Sequence, residues 1–182
     1  MVEFDTPAAP VIATVCPDAL PGLMPELAAI LHACVHGGAS VNFVVPFSLD
    51  DAAAFWRDRV LPAARAGTRV VLMASVDSRP AGTVMLDTAT PPNQPHRADV
   101  TKLLVHPAHR RRGIARALML ALEDQARARG RRLITLDTKT GDAAERLYRA
   151  LGYRMVGTIP GYSLDPGGSG RLDSTSLLYK AL

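Results

Sequence analysis

One stretch constrains this chain more than any other: Leu103 to Leu122, LLVHPAHRRRGIARALMLAL. Leu103, Leu104 and Val105 end an apolar, β-rich run. His106-Pro107 stops that run, because proline has no N–H to give to a sheet ladder. A basic turn follows, Arg110-Arg111-Arg112-Gly113. From Ile114 the apolar residues recur at Leu118 and Leu122, with Ala117 and Ala121 beside them, which is helical spacing. The order is strand, basic loop, helix, and a chain containing it must place a sheet edge beside a helix N-terminus.

Such an N-terminus leaves backbone N–H groups unpaired and carries partial positive charge, so it suits a phosphate. Gly113 lets a ligand approach the backbone, Ala115 keeps the first turn bare, and the arginines add attraction. The same residues also suit a solvated helix cap or a nucleic-acid patch. Composition weighs on that choice. The net charge is +4, with arginine concentrated between His109 and Arg132, but aromatic residues make up only 5% of the chain. No aromatics interleave the arginines, so a stacking platform for single strands is not expected, and neither is a nucleic-acid partner.

The remaining length suits one domain, 1–182, and 48% hydrophobic residues suffice for one core. Cys16 and Cys34 make neither a disulfide framework nor metal-ligand spacing, and no metal is expected. The segment MVEFDTPAAP lacks a basic region followed by a long apolar one, and no apolar run is read as approaching membrane length. A cytoplasmic protein without a membrane partner is the expectation.

In order, Val11 to Val15 reads as a strand. A helix over Asp18 to His36 is expected to begin properly near Pro25, where proline is tolerated. Ala39 to Phe47 reads as a loop with some strand character. Ser48 is an N-cap with Asp50 and Asp51 behind it, opening a second helix that ends around Gly67. Val41, Phe43, Phe47, Phe55 and Trp56 read as ordinary core. Arg69 to Val76 and Ala81 to Asp87 form a hairpin across Asp77-Ser78-Arg79-Pro80. A helix over Gly113 to Arg129 is expected to point Arg116, Glu123, Asp124 and Arg127 outward. Arg132 to Asp137 is a strand, and Asp142 to Glu145 has capping-box spacing. A short helix then runs to Gly152, and strands over Tyr153 to Thr158 and Thr175 to Tyr179 flank a glycine-rich loop. The order β-α-α-β-β-β-α-β-α-β-β implies an α/β fold, a mixed sheet with helices on both faces.

Arg110-x-x-Gly113-x-Ala115 resembles the pyrophosphate motif R/Q-x-x-G-x-G/A of the GNAT superfamily of N-acetyltransferases. Ala144-x-x-x-Tyr148-x-x-x-Gly152-Tyr153 independently resembles its A-x-x-x-Y-x-x-x-G-F/Y segment, and the whole element order is similar to the GNAT fold. NQPHRADVTKLLVHP, LDT with G-x-A-A-E-x-L-Y, and VGTIPGY with LLYKAL are similar to the tabtoxin-resistance acetyltransferase group, over about Asn93 to Leu182. One position departs: Gly141 stands where the family usually has an asparagine that touches the pantetheine arm.

The resemblance implies an enzyme that transfers the acetyl group of acetyl-CoA directly to a primary amine of a small, amino-acid-like or toxin-like acceptor. A fold-sharing module that holds acyl-CoA as a sensor is the alternative. Acetyl-CoA is expected in a cleft between the strand ending at Val105 and the strand ending at Asp137. Leu103, Leu104 and Val105 would pair with the pantetheine arm. Arg110, Arg111, Arg112, Gly113, Ile114, Ala115 and Arg116 would hold the pyrophosphate, and Gly141, Ala144 and Tyr148 would line the path. Asp99 and Asp137 match positions proposed as bases in that group, with an Arg97 pair and a turn cap as their structural alternatives. Tyr148 would donate to the departing thiolate, since a phenol with a pKa near ~10 stays protonated; its alternative is a packed core residue. His106 is expected to be structural and His96 to line the acceptor mouth. The resemblance also makes Val41, Phe43, Phe47, Phe55 and Trp56 candidates for an acceptor-pocket wall. A cysteine intermediate is not expected, because Cys16 and Cys34 fall outside the matched segments. The superfamily also accommodates a homodimer.

Overall fold

The computed structural model describes residues 9–182. Most of the segment searched for a leader, and the start of the single domain expected over 1–182, lie in residues 1–8, outside the described residues. The strands are β1 (Val11–Thr14), β2 (Arg69–Val76), β3 (Arg79–Asp87), β4 (Arg97–Val105), β5 (Leu133–Lys139), β6 (Arg154–Leu164) and β7 (Leu172–Ala181). The helices are α1 (Leu20–His36), α2 (Leu49–Phe55), α3 (Leu61–Arg65), α4 (Ile114–Ala128) and α5 (Ala143–Ala150). Among the described residues the strands make one seven-stranded sheet in the order β1-β2-β3-β4-β5-β7-β6, in which only β4–β5 is parallel. This is the mixed α/β sheet that the element order implies.

Helices cover both faces. On one, Ile114, Leu118 and Leu122 of α4 pack with Leu72, Val84, Leu86, Ile134 and Leu136 of the sheet. On the other, Leu27, Leu31, Trp56 and Val60 pack with Val71, Met85 and Leu104. Burying such side chains stabilises the fold by roughly 1.5–3 kcal/mol each. The periodic residues read from the sequence are therefore the ones that hold α4 in place, and with it the basic loop at its start.

Local chemistry explains most boundaries. Ser48 caps α2 by accepting from Asp51 N at 3.0 Å while Asp51 accepts from Ser48 N at 2.9 Å. Between α2 and α3 lies a π turn, Trp56–Val60, immediately before Pro62. Pro62 has no N–H to give the preceding turn, so a widened turn costs little there. Asp77 and Ser78 both take positive φ (49° and 63°), the combination a two-residue hairpin turn needs, so Arg79 and Pro80 belong to β3.

Several expectations change. Helix α1 begins at Leu20 and carries Pro25 inside, because its preceding turn Pro17–Ala19 already starts the coil. The segment Pro17–His36 is long and apolar enough to cross a membrane by composition, so the reading that no run approaches that length is corrected. Here its Leu20, Leu27, Ile30 and Leu31 are buried against the sheet and neighbouring helices. Ala39 to Phe47 contains no strand. Glu123 points inward, only 2% exposed, because Lys180 of β7 donates to its carboxylate at 2.7 Å. The Asp142 box does not close: Glu145 accepts from Gly141 N at 2.7 Å and from Ser176, tying α5 to β7. Strands β6 and β7 extend beyond their expected ends.

Candidate active site

The parallel pairing of β4 and β5 covers only Arg97↔Leu133, Ala98↔Ile134 and Asp99↔Thr135. Beyond it β4 continues to Val105 beside β3, while β5 continues to Lys139 beside β7. The two strands therefore splay, and each leaves one edge without a strand partner. An unpaired strand edge presents N–H and C=O groups to whatever enters.

A cavity of about 490 Å³ lies there, lined by Leu103, Leu104, Val105, Arg110, Arg111, Gly113, Ile114, Ala115, Arg116 and Ala144. Ten of the thirteen residues assigned to the cofactor from sequence thus share one wall system; Arg112, Gly141 and Tyr148 do not line it. Gly113 is the N-cap of α4 at φ 76°, with no side-chain cap, so the first N–H groups of the helix are left to a ligand. Arg111 also takes positive φ, 64°. The turn is thereby wound so that backbone donors and arginines ring the helix start, an anion site.

The far wall was not legible in the sequence. It comes from the end of α1: Cys34, Gly37, Gly38 and Ala39. Arg110 folds across this side and donates to the Val105 carbonyl at 3.4 Å. The Cys34 thiol donates to the same carbonyl at 3.4 Å, and burial pushes its pKa up, so it stays a thiol. Gly82 of β3 explains how closely α4 approaches: a Cβ there would sit 2.7 Å from Leu104 O and 3.3 Å from Ile114.

The titratable candidates lie nearby but not in that lining. A second cavity, about 550 Å³, is lined by Asp87, Asp99, Thr101, Thr135, Asp137 and Tyr162. Asp99 is bound by Arg97 and by the Thr135 hydroxyl, the structural alternative foreseen for it. Asp137 is exposed and accepts one hydrogen bond, from Thr175 Oγ1 at 3.3 Å. Tyr148 is 5% exposed and belongs to the core cluster, its ring centroid 5.7 Å from that of Tyr153. Its hydroxyl has no hydrogen-bond partner among the described residues. Burial, then the negative charges of Asp137 and Asp142, raise its pKa above the ordinary phenol value. The group is therefore a neutral donor throughout the physiological range. Gly141 takes φ 78°, a conformation that glycine and asparagine tolerate best. His106 caps the turn Pro107–His109 by accepting from Ala108 N, as expected of a structural residue. His96 lines none of these cavities; its carbonyl accepts from Arg132 N instead.

One residue escaped the sequence reading. Strand β4 bulges where Thr83↔Leu104 gives way to Met85↔Thr101. Lys102 sits in the bulge at φ 51°. Left-handed backbone at a non-glycine residue costs about 1–2 kcal/mol, and bulges of this kind re-aim a side chain. Here the ammonium lies 5.5 Å from the ring centroids of both Phe43 and Phe55. Burial and the charge of Arg69 push its pKa down to about 8, with Asp137 opposing. Of the aromatics named as wall candidates, Phe43, Phe47 and Phe55 line a third cavity together with Lys102, whereas Trp56 is fully buried core.

A sequence model described as the acetyltransferase (GNAT) family matches residues 39–153. Among solved structures, the Salmonella typhimurium protein yncA, solved with its cofactor acetyl-CoA, superposes with a TM-score of 0.73 at 20% identity over 96% of this chain and 95% of its own. A GNAT superfamily phosphinothricin acetyltransferase from Sinorhizobium meliloti, in complex with AcCoA, gives 0.75 at 17% identity over 96% and 89%. A ribosomal-protein-alanine N-acetyltransferase from Brucella melitensis gives 0.72 at 21% identity over 94% and 99%.

Proposed function

The chain belongs to the GNAT family of acetyltransferases, and from that premise we propose that it transfers the acetyl group of acetyl-CoA directly to a primary amine of a small, amino-acid-like acceptor. The observation that carries this reading is the cavity at the β4–β5 splay, where an unpaired strand edge ends at an uncapped, arginine-ringed helix N-terminus. An extended amide-bearing arm joined to a pyrophosphate has the complementary shape and charge. Arg110, Arg111 and Arg116, with the N–H groups after Gly113, hold the phosphates. Leu103 to Val105 offer backbone pairing to the arm, and one N–H there polarises the thioester carbonyl as charge develops on its oxygen.

The acceptor amine must lose a proton before it attacks, since free primary amines are mostly protonated at pH 7. Asp137 is the base in this reading, directly or through water, because it is exposed at the splay and lightly engaged. Asp99, held by Arg97 and Thr135, supports the site rather than taking the proton. The amine attacks the thioester carbon, the tetrahedral intermediate collapses, and CoA leaves as a thiolate that Tyr148 stabilises with a donated hydrogen bond and that takes up the proton Asp137 removed from the amine. Localisation in the cytoplasm and a single domain complete the proposal.

The test is release of free CoA, followed by thiol detection, across a panel of amines, amino acids and β-lactam-like amino acids. Amine-dependent release above the hydrolysis background supports the reading. Calorimetric binding of acetyl-CoA with no amine-dependent release would leave only a sensor.

A further inference from the structure

Three consecutive residues of β4 line three different cavities. Thr101 faces the acidic one with Asp99 and Asp137, Lys102 a third of about 730 Å³, and Leu103 the cofactor cavity. Successive Cα atoms are about 3.8 Å apart, so the strand passes all three cavities within two residue steps at the bulge. The third cavity is lined by Phe43, Phe47, Phe55, Asp51, Asp58, Arg59 and Lys102, among others. Its charges are unevenly satisfied. Asp51 is consumed by the Ser48 cap, and Asp58 by Arg57 at 2.8 Å. Arg59 and Lys102 have no carboxylate partner among the described residues. Arg69, the other cation beside Lys102, is taken up by Asp87.

Resting on the acetyltransferase reading, we propose that this third cavity binds the acceptor, with Lys102 and Arg59 holding a carboxylate and Phe43 and Phe55 forming an apolar wall for its side chain. The bulge explains the cost of the arrangement: a strained residue turns an ammonium out of the strand and against two phenyl rings that pack edge to face, 5.3 Å between centroids. Phenyl faces attract the cation but cannot neutralise it, so an incoming carboxylate meets a desolvated, unpaired charge. In an α-amino acid the amine sits on the carbon that carries the carboxylate, so with the carboxylate at Lys102 the ammonium turns toward Asp137, the carboxylate whose charge acts on Lys102, while the side chain lies along the phenyl wall. The amine then lies beside the strand segment assigned to the thioester. An anion also relieves the repulsion between Lys102 and Arg69, and so returns the lysine pKa upward.

The probes are L-methionine, L-phenylalanine and L-glutamate with their α-amides, used in two arms: calorimetric binding to the CoA-loaded protein, and kcat/KM for acetylation. The expected result is at least a tenfold preference for each carboxylate over its amide in both arms. In Lys102→Met that ratio falls to about one, through KM rather than kcat, while Lys102→Arg keeps it. Arg59→Ala gives a smaller loss, since Arg59 is exposed. Acetyl-CoA binding measured on each variant shows that the fold and cofactor site persist. Binding preference without acetylation would overturn the transferase reading and leave the carboxylate site standing. Equal binding of acids and amides by the parent, or an unchanged ratio in Lys102→Met, overturns the inference.

Discussion

Replacing Tyr148 by phenylalanine separates packing from chemistry. The ring lies in the core, 5.7 Å from Tyr153, and its hydroxyl has no hydrogen bond to lose among the described residues. Stability should therefore change by less than about 1 kcal/mol, since no partner is left unpaired. Turnover should respond differently. The hydroxyl is assigned to sulfur, where negative charge grows only as the C–S bond breaks, so its loss acts on kcat more than on binding. General-acid contributions of ~10²–10⁴ set the scale, or about 3–5 kcal/mol of barrier at 1.36 kcal/mol per tenfold. A donor partly replaced by water falls below it. Because burial and the charges of Asp137 and Asp142 raise the phenol pKa, the donor does not titrate in the assay range. The alkaline limb of a pH profile should then look the same in parent and variant. Acetyl-CoA affinity should change by less than tenfold, about 1.4 kcal/mol. The assay is steady-state and single-turnover kinetics with the best amine, alongside thermal melting and calorimetry. Parental turnover with chemistry rate-limiting would make Tyr148 a packing residue and refute the mechanism.

Acetyl-CoA should raise the melting temperature, by the equivalent of ~2.7 kcal/mol at a hundredfold excess over Kd; Gly113→Val, forced to φ 76°, should cost about 1–2 kcal/mol in stability and abolish the shift, and a retained shift would refute the loop assignment. Asp137→Asn should lower kcat at least tenfold with little change in acetyl-CoA affinity by calorimetry, more than Asp99→Asn does in kinetics, where the reverse order would move the base to Asp99. Gly82→Ala places a Cβ 2.7 Å from Leu104 O; overpacking of this kind costs about 1–3 kcal/mol, visible in urea unfolding, and a neutral result would show that β4 and α4 can part without cost.

The strand, arginine loop and helix start that line the first cavity were legible because their information is local. A proline stop, a glycine, arginines and a 3.6-residue period sit within one stretch, and each acts on its immediate neighbours. The Ser48 cap and the Asp77-Ser78 turn are local in the same sense. What escaped depends on distant partners. Glu123 reads as a surface charge until Lys180, far along the chain, is placed against it. Cys34, Gly37 and Gly38 carry no motif; they enter the cavity because α1 packs across β4. Lys102 is one lysine inside an apolar run, which a sequence pattern assigns to a strand face. Only a shift in β3–β4 register, invisible in composition, turns it against Phe43 and Phe55. The place of Lys102 was therefore unreadable for a physical reason: it is set by a sheet irregularity, where the two-residue period fails, although Phe43, Phe47 and Phe55 of the same cavity were named from sequence.

The short parallel pairing of β4 and β5 has a consequence for solubility. Two bare strand edges in the middle of a sheet would ordinarily be templates for a stray chain, and exposed edges are where sheets aggregate. Here the free edge of β4 opens into a cleft walled by the arginine loop, the start of α5 and the end of α1. A flexible arm one chain wide can thread it, whereas the flat edge of another sheet, with side chains standing on both faces, cannot. Placing the adhesive edge inside the molecule keeps it open to a slender ligand while hiding it from other copies of the protein. Widening the gap, for instance by detaching α1 from β4, should then turn a cofactor site into a point of self-association.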